Sequence, residues 1–154
     1  VFSKIDINNL ISRSLELHIL SEKNVKFIFN KSKKSLHVNG DEEQLNRVFM
    51  NLVKNSIESI QERKYKNVDF KGKINVDIKE DSDYIYVTIT DNGVGFDQVD
   101  KLKMITPYFT TKKKGTGLGL AIVSKIISDH NSTISFNSIE NGAKIEIILP
   151  QHYE

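Results

Sequence analysis

The chain has 154 residues, about one domain at the usual ~150 residues each, and long enough to bury roughly 68–70% of its unfolded surface. Apolar residues at 38%, charged residues at 27%, 8 Gly and 2 Pro exclude disordered, collagen-like and low-complexity classes. A formal charge of +2 is too near neutrality for nucleic acid or an acidic membrane to be the main partner, and zero Cys removes disulfides, thiolate metal sites and Cys nucleophiles together. No apolar run approaches the ~18 residues that span a bilayer, and Val1-Phe2-Ser3-Lys4 has no leader pattern. The expectation is one soluble domain suited to a reducing compartment.

From Asp6 to about Ser21 the apolar residues Ile7, Leu10, Ile11, Leu15 and Ile19 recur at helical spacing and predict a first helix. Val25–Phe29 and Leu36–Val38 are rich in strand formers around the polar Asn30–Ser35, and predict a hairpin or two adjacent strands. Asp41 is an N-cap candidate for a second helix whose stripe runs Leu45, Val48, Phe49, Leu52, Val53, Ile57 and Ile60, ending near Arg63. After a polar connection at Lys64–Lys71, Lys73–Lys79 and Tyr84–Asp91 alternate strictly and predict an antiparallel pair. Asn92–Gly115 is long, irregular and glycine-flanked, which inside a compact domain marks a functional segment, often a lid. Gly117–His130 predicts a third helix, and Thr133–Asn137 with Ala143–Leu149 predict a hairpin around Glu140-Asn141-Gly142, ended by Pro150. The order predicts an α+β two-layer sandwich, with helices on one face of a mixed, mostly antiparallel sheet.

Four features carry chemistry. Asp91 shares strand parity with Ile85, Val87 and Ile89, so its carboxylate faces the core. Burying it costs several kcal/mol unless donors reach it. A ligand amino group such as that of adenine would serve, and so would backbone N–H groups of its own turn, Asn92-Gly93-Val94-Gly95. Asn51, Asn55, Glu58 and Glu62 align on one face of the second helix. Such a face can be merely solvated, but Asn is ~0.6 kcal/mol worse than Ala in a helix, which favours a use for the amides. An Asn oxygen is a hard neutral ligand that Mg²⁺ accepts alongside phosphate oxygens. Gly115-Thr116-Gly117-Leu118-Gly119 runs into the third helix, where free N–H groups and the dipole favour an anion. Its spacing is neither a P-loop nor a dinucleotide fingerprint. Lys112, Lys113 and Lys114 precede it, suited to phosphate or simply to water.

In order and spacing, Asn51-Leu-Val-Lys-Asn55-Ser-Ile-Glu58, Asp91-Asn-Gly-Val-Gly95, Pro107-Tyr-Phe-Thr-Thr-Lys112 and Lys114-Gly-Thr-Gly-Leu-Gly-Leu-Ala-Ile-Val123 resemble the ATP-binding boxes of sensor histidine kinases. The stretch at 107–112 and the Ser56-Ile57-Glu58-Ser59 after Asn55 look most like the NtrB and NtrY nitrogen-regulation sensors, NtrY the closer. The resemblance covers essentially the whole chain. It implies the Bergerat-type ATP-binding fold, with ATP and Mg²⁺ as cofactors and an ATP lid at about 96–115. It implies that Asn55 holds Mg²⁺, that Asn51 lies near the phosphates, and that Asp91 accepts from the adenine amino group. Gly93 and Gly95 would bend the backbone around the base, and Phe109, Thr110 and Thr111 belong to the lid motif. Gly115, Gly117, Leu118 and Gly119 would admit the triphosphate, with Lys112 and Thr116 as phosphate contacts.

ATP-hydrolysing relatives of this fold carry a Glu four residues before the metal-binding Asn, where this chain has Asn51. An amide cannot act as a general base, which favours transfer to a supplied nucleophile over hydrolysis. The family's accepting His lies on a long helix followed by an acidic residue and Pro. His18, His37, His130 and His152 lack that context and read as surface or packing residues. The expectation is therefore the catalytic portion of a sensor kinase, residues 1–154 forming one domain without the dimerisation and phosphoacceptor helices. It would act on a His of a separate domain of the same parent protein, for onward transfer to a response regulator Asp. The resemblance further implies a monomeric fragment of a homodimeric parent, on the cytoplasmic side, with no nucleic acid or direct membrane contact. The rival expectations are an ATPase or protein-serine kinase of the same fold, and a non-catalytic nucleotide-sensing docking module.

Overall fold

The computed structural model describes residues 1–95 and 119–153. In chain order these form β1 (Ser3–Asp6), α1 (Ile7–Ser21), β2 (Val25–Asn30), β3 (His37–Gly40), α2 (Glu42–Lys66), β4 (Gly72–Glu80), β5 (Tyr84–Asp91), α3 (Gly119–Asp129), β6 (Thr133–Ile139) and β7 (Gly142–Pro150). β2, β4, β5, β7 and β6 lie side by side in that order, with β2–β4 parallel and the other pairs antiparallel. The helices cover one face of this sheet. The expected α+β sandwich is the observed one.

The alternation of apolar residues decides which face is covered. Ile74, Val76 and Ile78 of β4, Ile85, Val87 and Ile89 of β5, and Ile145, Ile147 and Leu149 of β7 are all buried. They meet Leu45, Val48, Phe49, Leu52, Val53 and Ile60 of α2, together with Val123, Ile126 and Ile127 of α3 and Leu10, Ile11 and Leu15 of α1. The 25-residue α2, about 37 Å long at 1.5 Å per residue, runs beneath the sheet and carries both Asn51 and Asn55.

Two expectations need correction. Val25–Phe29 and Leu36–Val38 do not pair: β2 lies parallel to β4, and β3 pairs antiparallel with β1 in a separate two-stranded sheet. The link between them lacks a tight hairpin turn and is pinned to α1 instead. Asn8 Nδ2 donates to the Ser32 and Lys34 carbonyls, and Ser32 N–H donates to Asn8 Oδ1. The second helix also continues past Arg63 to Lys66, where Asn67 N–H caps it by donating to the Arg63 and Lys64 carbonyls. Lys31, Lys33 and Lys34 are exposed, as a solvated turn should be.

At the other end of α2, Asp41 Oδ1 accepts from Gln44 N–H at 3.1 Å, so Asp41 is the N-cap that its position predicts. That hydrogen bond, first among the causes, holds the Asp41 carboxyl below its ordinary value. A depressed carboxylate contributes stability that is present above the ordinary carboxylate range and is lost as pH falls through the lowered value. The Asp41→Ala chain should therefore unfold at lower temperature than the native chain at pH 7, and the gap should close on acidification below the carboxylate range. Thermal melts at several pH values check this.

Candidate nucleotide site

Asp91 ends β5 between Ile74 of β4 and Ala143 of β7. It is only 5% exposed, buried on the helix-facing side as its strand parity predicts. Gly93 N–H donates to Asp91 Oδ1 at 2.9 Å, so the carboxylate also caps its own turn. Asp91 thus faces the core, and its own turn supplies one of its donors.

The turn after Asp91 is fastened on two sides. Towards the sheet, the Asn92 carboxamide replaces a strand pairing: its Oδ1 accepts from Lys73 N–H at 2.8 Å and its Nδ2 donates to the Lys71 carbonyl at 3.0 Å. Towards the helices, Val94 N–H donates to the Ser59 carbonyl at 3.3 Å and Gly95 N–H to Ser59 Oγ at 3.4 Å. Gly93 lies so close to α2 that a Cβ there would come within 2.6 Å of the Ser59 carbonyl carbon and 2.8 Å of Ile60 N. Gly95 sits at φ +74°, where L side chains are strained, with the Gly142 carbonyl against it. The two glycines picked out in the sequence therefore have definite structural reasons.

One ladder of α2 residues spaced by four runs along the site: Asn51, Asn55, Ser59 and Arg63. Asn51 and Asn55 are half-buried, not a free solvated face. Asn51 Oδ1 points towards Gly119 at the start of α3, 3.9 Å from where a Cβ would stand. Among the described residues, nothing else stands within 4 Å of that Cβ position. Room beside a helix start is what an anion needs. Farther along the helix, Glu58 is half-buried and Glu62 exposed, while the turn is held by Ser59 and Arg63. The remaining residues expected to bind nucleotide, Phe109, Thr110, Thr111, Lys112, Gly115, Thr116, Gly117 and Leu118, lie outside the described residues, as does the expected lid.

The sequence assigns three residues of this region no contact with the turn. Ser59 belongs to the Ser56-Ile57-Glu58-Ser59 stretch that resembles the nitrogen-regulation sensors, but that resemblance gives it no structural task, and Arg63 marks only where the apolar stripe of the helix ends. Gly142 reads as a hairpin turn glycine only, yet a Cβ on it would overlap the Asp91 carbonyl oxygen and stand 3.1 Å from Asn92 Cα. Gly142→Ala must push β7 away from the Asp91 turn. It is expected to destabilise the fold by about 1–3 kcal/mol, the usual cost of forcing atoms into packed structure. Chemical denaturation of the two chains measures this difference.

Comparison with known proteins matches this arrangement to one family. Residues 40–153 match the family described as histidine kinase-, DNA gyrase B-, and HSP90-like ATPase. Sporulation kinase A of Bacillus subtilis is 37% identical over 120 residues, covering 77% of this chain and 18% of that protein. Sensor histidine kinase ZraS of Salmonella typhimurium is 36% identical over 151 residues, covering 95% of this chain and 30% of that protein. The solved catalytic domain of histidine kinase ThkA superposes with a TM-score of 0.81 at 31% identity, over 98% of both chains. The chain belongs to this family. It spans less than a third of the length of these two curated relatives. Kinases described as NtrY-like match in the same range of identity, so similarity does not single out the nitrogen-regulation group. Among the described residues no helix is long and apolar enough to cross a membrane.

Proposed function

We propose that this domain binds Mg²⁺–ATP between α2, the Asp91 turn and the start of α3, and delivers the γ-phosphoryl group to a His of a separate helical domain in its parent protein. The observation that carries this is the placement of Asp91. A carboxylate is buried at the end of β5, over a glycine turn packed on the same helix that bears Asn51 and Asn55. In this reading Asp91 accepts from the adenine amino group, and Gly93 and Gly95 let the backbone wrap the base. Asn51 and the N-terminus of α3 face the phosphates, with Gly115, Thr116, Gly117, Leu118 and Lys112 beside them, and Phe109, Thr110 and Thr111 in the lid.

The donor chemistry fits the metal. No group of three His, Cys, Asp or Glu side chains among the described residues forms a ligand cluster, whereas the Asn55 carboxamide is a neutral oxygen donor of the kind Mg²⁺ shares with phosphate oxygens and water. When bound, the ion would neutralise charge on the phosphates. Transfer then depends on holding the nucleotide in line with the acceptor. Asn51 stands where a hydrolytic relative has its general base, and a carboxamide cannot take a proton from water. ATP is thereby kept for the acceptor.

The parent is read as a homodimer passing the phosphoryl group to a response regulator on the cytoplasmic side. ThkA, 28% identical, has been solved in complex with the response regulator TrrA, which supports that class of partner. Within the family, the stretch 107–112 and Ser56-Ile57-Glu58-Ser59 favour the NtrB and NtrY group.

The test combines this chain with Mg²⁺–ATP labelled at the γ position and the helical domain of its parent. Label on that domain's His, appearing only when both proteins are present, is the expected result. Steady ATP turnover without the acceptor would instead make the chain an ATPase. Binding without transfer to any acceptor would make it a nucleotide-sensing module.

A further inference from the structure

We infer that Arg63 is a positioning residue for base recognition: its guanidinium ties the backbone of the Asp91 turn to α2 and so sets the direction in which Asp91 presents its carboxylate. This inference rests on the nucleotide site proposed above. Arg63 Nη1 donates to the Asn92 carbonyl at 2.9 Å and leans towards the Gly93 carbonyl at 3.4 Å. The guanidinium carbon lies 4.5 Å from the centre of the Phe70 ring, stacked on the α2–β4 connection.

A cation in the last turn of a helix ordinarily serves that helix's own carbonyl end. Arg63 instead reaches to another element, and its planar fork can bond and stack at once, which a Lys cannot do. One helical turn before it, Ser59 holds Val94 and Gly95 from the same side of α2. The turn is thus gripped at both ends, Asn92–Gly93 by Arg63 and Val94–Gly95 by Ser59. Between these grips lies the Gly93 N–H that donates to Asp91 Oδ1. The bond fixes the rotation of the carboxylate, and the carbonyl on the same residue as that N–H is one that Arg63 approaches. Releasing the guanidinium loosens the Asn92–Gly93 peptide plane, which carries the Gly93 N–H, while the Gly93–Val94 plane stays tied to Ser59; the Asp91 carboxylate then loses its reference direction. Arg63 stands twelve residues along α2 from Asn51, about 18 Å at 1.5 Å per residue, so its influence should be confined to the base.

The test titrates the native chain, Arg63→Met and Arg63→Lys with ATP, GTP and Mg²⁺–tripolyphosphate, and follows exchange of the Gly93 amide proton by NMR without nucleotide. Met keeps the apolar stem over Phe70 while removing the donors. The expected result for Arg63→Met is about tenfold weaker ATP binding, a similar loss of the preference for ATP over GTP, unchanged tripolyphosphate binding and faster Gly93 exchange. Arg63→Lys should recover part of each effect. ATP affinity and ATP-over-GTP preference within twofold of native would overturn the inference. So would a uniform loss towards all three probes, which is the mark of a merely structural role. Should the Met chain not fold, the Lys chain is measured in the same way, and the same two outcomes overturn the inference. A native chain that binds no ATP takes the nucleotide site down first, and this inference with it. A native chain that binds while the variants behave alike removes only the inference.

Discussion

Replacing Asn55 with Ala is expected to slow Mg²⁺-dependent phosphoryl transfer by about a hundredfold to a thousandfold, the scale on which a single electrostatic donor at a reacting centre acts, while ADP binding without metal stays within about threefold. Asn55 is half-buried in the middle of α2, one turn from Asn51 on one side and from Ser59 on the other. Ser59 and Arg63 bond the Asp91 turn, so base recognition and metal binding fall to different residues of the ladder. The substitution does not weaken the helix itself, because Ala is the better helix former by roughly 0.6 kcal/mol. Lost transfer therefore cannot be put down to a weakened helix, provided the unfolding midpoint is measured alongside. Single-turnover transfer and a metal-free ADP titration on the same protein make the comparison. Unchanged transfer would remove Asn55 from the site and leave its place on α2 without a chemical use.

How much of this was legible follows from the range of the interactions involved. The helices α1 and α2, and the antiparallel pairs β4–β5 and β6–β7, follow from short-range periodicity and turn chemistry, and the parity of Ile85, Val87, Ile89 and Asp91 put the carboxylate on the buried face. The parallel pairing of β2 with β4 joins segments nearly fifty residues apart, and no local pattern encodes it. β1 is four residues long and is a strand only because β3 lies opposite. The same distinction runs through the site. Asp91, Gly93 and Gly95 announce themselves within one short turn, and Asn51 and Asn55 by helical spacing. Ser59, Arg63 and Gly142 act across space on backbone atoms of that turn. A backbone carbonyl leaves no mark on the sequence of the residue that meets it.

Asp91→Asn is expected to weaken ATP binding by about a hundredfold or more while leaving the fold as stable as before, or more so. The two carboxylate oxygens are acceptors, and the change turns one of them into an NH₂ donor of nearly the same shape. With the carboxamide oxygen kept by Gly93 N–H, the new donor would confront the adenine amino group, and a buried site that offers a donor to a donor loses both bonds at once. Stability should move the other way or not at all. At 5% exposure the native carboxylate carries a desolvation cost that the neutral amide escapes, the bond from Gly93 survives, and the carboxamide, of nearly the same shape, keeps one acceptor oxygen for its protein partners. Affinity and stability thus separate, which distinguishes recognition from packing. Calorimetric titration with ATP beside a thermal melt reads both quantities. If affinity is retained, Asp91 is no more than the cap of its own turn. If stability collapses together with affinity, the carboxylate is a structural anchor and the adenine contact must lie elsewhere. A loss of affinity in a chain that melts no lower than native is the outcome that only a ligand-facing carboxylate produces.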